Sequence, residues 1–395
     1  MEKKTNLKFP FFLFSSSHNI EIQSIAYSLN LFLPTLFLII TSFFRDYNLT
    51  AELGILIGVN IIFTQIFSAN ARSIIISKKL ISSIYNYIIF RIIISIVLIC
   101  ANLFFFSIFE FSNKHLLLAV SFLIIFQWLN ELILTFFELK KKVNEFYFYI
   151  SICLIFIFFI IVDFLYYQNL TYVFLINNIL LLLFFFNFFL KIKKIKKKKI
   201  HLRKFFILSI INKAFYSSFS ISFANLIWRL LIIQFCGKIL AGIYFASFAL
   251  GSLPGTLFNN TFGPTIIKNN IKVNKSLYFL KYIFITTIIV LFFWSILNRD
   301  QMFINLSYTQ IFGTFLSLLG SYFMIKGQYA RQYLIQKTQH QSFVFKIDVL
   351  YSLIIMVVVP ILYVLGGDKL IIISFLVSSI IAHAVYNFTY NKFLK

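Results

Sequence analysis

The stretch KIKKIKKKKIHLRK, residues 191–204, packs nine basic side chains into fourteen positions at almost the midpoint of a 395-residue chain. On both sides of it the sequence consists of apolar stretches of about 20 residues, each long enough to cross a hydrocarbon core of about 30 Å as a helix. Six such stretches precede the basic run, at 23–44, 51–69, 92–109, 116–137, 146–162 and 172–190. Six follow it, at 214–235, 239–260, 282–297, 302–325, 347–365 and 370–388. The expected fold is therefore an all-α polytopic membrane protein of twelve transmembrane helices. It divides into a six-helix lobe at 1–190, a basic cytoplasmic linker at 191–204 and a second six-helix lobe at 205–395. An even number of crossings in each lobe lets both enter the membrane in the same sense, as a parallel repeat requires. The first stretch is too long for a signal-peptide core and has no small-residue cleavage site, so it reads as a retained helix.

Composition supports the same reading. The chain is 60% hydrophobic and only 12% charged, whereas soluble domains are about one quarter charged. Of its 36 lysines and arginines, 29 fall on the segments that a cytoplasmic N-terminus places inside, and only Arg45, Lys114, Lys238, Arg299 and Lys369 fall outside. That asymmetry is what the positive-inside rule demands, and a missed helix would invert every later loop. Both termini are expected in the cytoplasm. The net charge of +24 suits phosphate neutralisation in nucleic-acid binders, but no soluble face exists to carry it, and nucleic acid is excluded as a partner.

Several enzyme classes are disfavoured. Every outer loop is short, so there is no platform for the acceptor of a polysaccharide polymerase or membrane glycosyltransferase. No Walker A motif occurs. Cys100, Cys153 and Cys236 are too far apart to suggest a metal or disulfide framework. No triad, metal cluster or carboxylate pair points to catalysis, so neither catalytic residues nor a metal or other cofactor is expected.

Ionisable groups within spans are costly and tend to face a cavity or a partner. The fourth span carries Gln127, Asn130, Glu131, Thr135 and Glu138 on one helical face. The seventh carries Ser218, Ser222, Asn225 and Arg229 on one face, with Lys213, Ser217 and Ser220 on roughly the opposite one. Arg91 opens the third span, Arg72 follows the second, and His383 lies in the twelfth. These stripes read as the lining of a water-accessible interior. Individually, Arg91, Glu138 and Lys213 also fit residues that snorkel to the interface, and Glu131 fits one half of a structural ion pair. Pro34, Pro254 and Pro360, with the small-xxx-small pairs Gly54/Gly58 and Gly251/Gly255, read either as helix packing or as bends that change during transport. A cavity lined by Arg, Lys, Asn, Gln and Ser suits an anionic, sugar-bearing ligand, because guanidinium groups bind phosphate through paired donors.

Two stretches, WLNELILTFFELKKK (128–142) and NLIWRLLIIQFCGKILAGIYFASFALGSLPGTLFNNTFGP (225–264), resemble the corresponding segments of Wzx-type polysaccharide (O-antigen) flippases. Those belong with the multidrug MATE proteins in the MOP exporter superfamily. The resemblance implies two six-helix lobes around a cationic cavity in the bacterial cytoplasmic (inner) membrane. It further implies transport of an undecaprenyl-diphosphate-linked oligosaccharide to the outer leaflet by alternating access. Membrane lipids, a polysaccharide polymerase and a chain-length regulator are the partners it implies. Arg229, Lys213, Asn225, Arg91, Arg72 and Gln127 become the substrate-binding candidates, and Glu131 a charge-balancing or coupling residue. An ion-coupled drug or metabolite exporter of the same architecture is the alternative, and a polymerase or glycosyltransferase stands further off.

Overall fold

The computed structural model describes residues 18–44, 46–68, 72, 75, 84–108, 111–140, 142–166, 170–193, 213–258, 308–337 and 341–394. Regular structure among them is entirely helical, as a lipid-immersed chain requires: each backbone N–H and C=O must be satisfied within its own segment. In chain order the helices are α1 (His18–Phe43), α2 (Tyr47–Ser68), α3 (Ile84–Ile108), α4 (Lys114–Lys140), α5 (Val143–Tyr166) and α6 (Leu170–Lys193). After the basic run come α7 (Lys213–Leu257), α8 (Tyr308–Lys337), α9 (Gln341–Leu370), a 3-10 turn (Ile371–Ile373) and α10 (Ser374–Leu394). Among the described residues eight segments are long and apolar enough to cross a membrane, so this is a multi-pass helical membrane protein. The expected span at 282–297 and the basic residues 194–204 lie outside the described residues.

Local chemistry sets the helix ends. Asp46 caps α2, its Oδ1 accepting from the Leu49 N–H at 3.0 Å, and Asn113 caps α4 by accepting from the Leu116 N–H at 3.0 Å. A short polar side chain at that position satisfies one of the four orphan donors of a helix start. Helix α7 runs for 45 residues, about 68 Å at 1.5 Å per residue, more than twice the hydrocarbon thickness. It is not continuous: Gly237 takes φ 74°, ψ 169° and breaks it into two arms. These arms correspond to the expected spans 214–235 and 239–260. Gly367, at φ 68°, similarly ends the long arm of α9.

The expected boundaries shift at two places that matter. Helix α3 begins at Ile84, eight residues before the expected 92, so Arg91 is interior to a helix and not at its entrance. Helix α8 continues to Lys337, past the expected end at 325, through the polar sequence KGQYARQYLIQK. Apolarity marks where lipid begins, whereas a helix continues for as long as its backbone and side chains find partners.

Among α1–α6, α4 packs against α2, α3, α5 and α6 and α1 against α5. In the second half α7 packs on α8 and α9, and α10 on α8 and α9. The halves meet mainly along α2 and α7, with α1 also against α7 and Gln310 of α8 donating to Ser42 of α1 at 3.1 Å. Outward faces of α3, α5 and α6 are apolar, with Phe104, Phe158, Ile179 and Leu183 exposed, as a lipid-facing surface should be. Helices approach closely at glycine: a Cβ added at Gly251 would fall 2.2 Å from Ser317 Cβ and 2.8 Å from the Leu318 backbone N.

Gly251→Val should therefore destabilise the protein by at least the 1–3 kcal/mol typical of overpacking, about. Gly237→Ala, where nothing lies within 4 Å but φ 74°, ψ 169° is a region open essentially to glycine alone, should cost about 1–3 kcal/mol of backbone strain, less than the clash with both side chain and backbone at Gly251. Thermal denaturation in detergent ranks the two, and a Gly237 variant that unfolds first would contradict this packing.

Candidate functional site

The polar face of α4 is the first element of the site. Glu131 pairs with the Arg91 guanidinium at 2.9 Å, and the arginine side chain is 1% exposed against 24% for the carboxylate. Arg91 also donates to the Trp128 carbonyl and to Ser68 Oγ at 3.2 Å, and its Cζ stands 4.9 Å from the centre of the Trp128 ring. Trp128 Nε1 donates to the same Ser68 oxygen at 2.6 Å. About two turns further along α4, Glu138 receives Arg72 at 3.2 Å and the Tyr27 hydroxyl at 3.0 Å. Arg72 lies flat over the Tyr27 ring, 3.5 Å from its centre. The spacing Gln127, Glu131, Thr135, Glu138 puts all four side chains on one face, so one helix presents alternating acids to cations from the segments around it. The snorkelling reading fails for Arg91, which is buried and paired inside the helix bundle.

Gln127 sits a turn before Glu131 and is buried. Its carbonyl accepts from Asn30 Nδ2 at 3.1 Å, Tyr149 donates to the Asn30 side chain, and Gln127 Nε2 has no partner among the described residues. The structure thus gathers Arg72, Arg91, Gln127 and Glu131 around one helix.

Arg229 belongs elsewhere. It donates to the Gly54 carbonyl on α2, its Cδ lies 3.3 Å from where a Cβ on Gly58 would stand, and its Cζ is 5.6 Å from the centre of the Phe245 ring. One and a half to two turns before it, Ser222 Oγ donates to Gln65 Oε1 at 2.8 Å. The polar stripe of α7 therefore runs along α2, at the joint between the halves, with Asn225 half-buried on the same stripe. Among the described residues no carboxylate pairs with Arg229. Lys213 begins α7, and its side chain lies outside what is described.

One cluster escaped the sequence reading. Asp348 on α9 is fully buried and accepts from Arg331 Nε and Nη2, each at 2.9 Å. Ser217 and Tyr386 also donate to it, so four helices of the second half meet at one carboxylate. Arg331 reads in sequence as a cytoplasmic loop charge. The only signal against that reading is the pattern of an aspartate at the start of an apolar run and a tyrosine, Tyr386, in the final span. Among the described residues no group of three His, Cys, Asp or Glu side chains is placed to hold a metal ion.

Taken together, fold and site define a helical membrane protein with charged pairs buried inside each half and a polar joint between them. No protein-family model matches the sequence, and no curated protein does. Solved structures do. The chain aligns over 95% of its length, and 93% of the other, with an inward-facing multidrug resistance MATE family transporter of the MOP superfamily, at TM-score 0.52 and 12% identity. A MATE protein in complex with MaL6 aligns over 95% of both chains at TM-score 0.51 and 14% identity. A MATE protein in complex with Br-NRF aligns over 96% of this chain and 100% of its own at TM-score 0.50 and 13% identity. The chain shares the fold of the MOP superfamily.

Removing one partner of a buried ion pair costs about 3–5 kcal/mol, because the other charge is stranded. Asp348→Leu and Arg331→Met should each lower the melting temperature strongly, and the double variant should recover most of the loss. A double variant as unstable as the sum of the singles would show that the pair is not coupled.

Proposed function

We propose that this protein is a lipid-linked oligosaccharide flippase of the bacterial cytoplasmic membrane. It carries an undecaprenyl-diphosphate-linked repeat unit from the cytoplasmic to the outer leaflet by alternating access, for surface polysaccharide assembly. Twelve crossings are taken: α1–α6, the two arms of α7, a ninth at 282–297, α8, α9 and α10. They form the lobes 1–190 and 205–395 with both termini cytoplasmic. The MOP fold supports a transporter, and the two stretches resembling Wzx-type flippases support this cargo. A polysaccharide polymerase and a chain-length regulator are the partners that would receive the product.

The observation that carries the anionic cargo is Arg229. Guanidinium groups inside a membrane are expensive and ordinarily find a carboxylate, as Arg91, Arg72 and Arg331 do. Arg229 is held at the joint of the halves by a backbone carbonyl. A diphosphate entering between the lobes would supply the missing negative charge through paired donors. Asn225 on the same stripe, and Lys213 at the start of that helix, add donors along the path. On the first lobe, Arg91, Arg72 and Gln127 offer the second set of contacts, with Glu131 balancing charge while the cargo is absent.

An ion-coupled exporter of drugs or metabolites is the second reading. It is favoured by the partly exposed Glu131 beside Arg91 and by the likeness of fold to multidrug MATE transporters.

Deleting the protein in a host without a redundant transporter should stop surface polysaccharide and accumulate lipid-linked repeat units inside. Arg229→Gln should restore less than about one tenth of wild-type transport at equal abundance, as loss of a charged hydrogen bond worth about 1.5–3 kcal/mol predicts. Normal glycan in the deletion with raised sensitivity to toxic cations would favour the second reading, and full activity of Arg229→Gln would remove that residue from the path.

A further inference from the structure

A cavity of about 450 Å³ opens beside the first arm of α7, bounded by α2 and by Phe111 of the turn leading into α4. Its walls are apolar, formed by Ile55, Phe111, Ile227, Leu230 and Leu231. Polar groups occur only at the end where α7 turns: Gln234, Lys238 and Glu52. This is the membrane face marked by Gly237, so the cavity has a charged mouth at the interface and an apolar interior towards the bilayer centre.

Along the unbroken first arm of α7, Gln234 and Ile227 stand about 10 Å apart, within one hydrocarbon leaflet of about 15 Å. The cavity's volume lies within the roughly 300–1,000 Å³ range of sites that hold small amphiphilic molecules. The two rim charges are not equivalent. Glu52 is 3% exposed and turned inward, where it accepts from the Ser112 N–H at 3.1 Å and the Ser112 hydroxyl at 2.7 Å. Lys238 stands 3.5 Å from it, with half of its side chain exposed. The outward-facing charge at the mouth is the lysine's.

From this geometry we infer that the crevice is a binding site for one anionic glycerophospholipid, with an acyl chain along Ile55, Leu230 and Ile227 and the phosphate at Lys238 and Gln234. The site is separate from the Arg91 and Asp348 clusters. It lies against α2 at Ala51, Glu52 and Ile55, next to Gly54, whose carbonyl holds Arg229. A lipid seated there therefore rests on the joint between the halves. Recognition depends on burial of an acyl chain plus one basic contact, a pairing common at membrane interfaces.

The test uses full-length protein in nanodiscs containing phosphatidylglycerol with a photoactivatable diazirine in its acyl chain, with adducts mapped by peptide mass spectrometry. Labelling should concentrate on 227–234 and 51–55, well above the lipid-facing residues Phe158 and Ile179. Lys238→Gln should lower it about fivefold, the effect of one basic residue near a charged lipid, and unlabelled phosphatidylcholine should compete less well than phosphatidylglycerol. Leu230→Trp, which fills the cavity, should abolish it in protein that still elutes as a folded species. Uniform labelling of lipid-facing helices, or Lys238→Gln and Leu230→Trp both matching wild type, would overturn the site. Competition by a polyprenyl phosphate with none by phosphatidylglycerol would overturn its assignment to a phospholipid. None of these outcomes depends on transport, so the site and the proposed cargo fail separately.

Discussion

A guanidinium group cannot lie in hydrocarbon without a partner, and the architecture of this protein follows largely from how that constraint is met. Arg91, almost wholly inaccessible, is met by Glu131 and by the Trp128 carbonyl and ring. Because the cation comes from α3 and the acceptors from α4 and the end of α2, satisfying the charge also fixes three helices. Arg331 and Asp348 do the same for α8 and α9, and Ser217 and Tyr386 draw in α7 and α10. Buried ion pairs add little net stability compared with well-packed apolar residues, but they are strongly directional. Here they tie named helices together within each half, α3 to α4 and α8 to α9.

The joint between the halves is built differently. Along α2 and α7 the contacts are glycine-mediated packing, a Ser222–Gln65 hydrogen bond and the Arg229 bond to a carbonyl. The Glu52–Lys238 pair sits at its interfacial end with the lysine half in solvent, where ion pairs contribute little. The joint thus combines close helix packing with a buried cation held by a backbone carbonyl, whereas each half holds a carboxylate-paired arginine.

Much of this was legible in the sequence because lipid imposes strong rules. Helical spans and the one-sided placement of Gln127, Glu131, Thr135 and Glu138 follow from hydropathy and helical periodicity alone. What sequence could not supply was partnership. Nothing in the order of residues says that Glu138 meets Arg72 and Tyr27, that Arg91 stacks on Trp128, or that the serine stripe of α7 lies against α2. Arg331 illustrates the limit best. It lies beyond the apolar part of its helix and reads as a loop charge, yet a carboxylate seventeen residues later on the next helix draws it into the bundle. Hydropathy records the cost of exposing a residue to lipid and is silent about the neighbour that removes that cost.

The central claim is that the joint between the halves passes an anionic, lipid-linked glycan. Its most direct test is reconstitution of the purified protein into vesicles carrying a fluorescent undecaprenyl-diphosphate oligosaccharide, with a membrane-impermeant glycosidase added outside. The account predicts that protein makes the inner-leaflet half of the glycan accessible at a rate well above that of empty vesicles. Glycan that stays protected in vesicles whose protein moves small cationic dyes would contradict it.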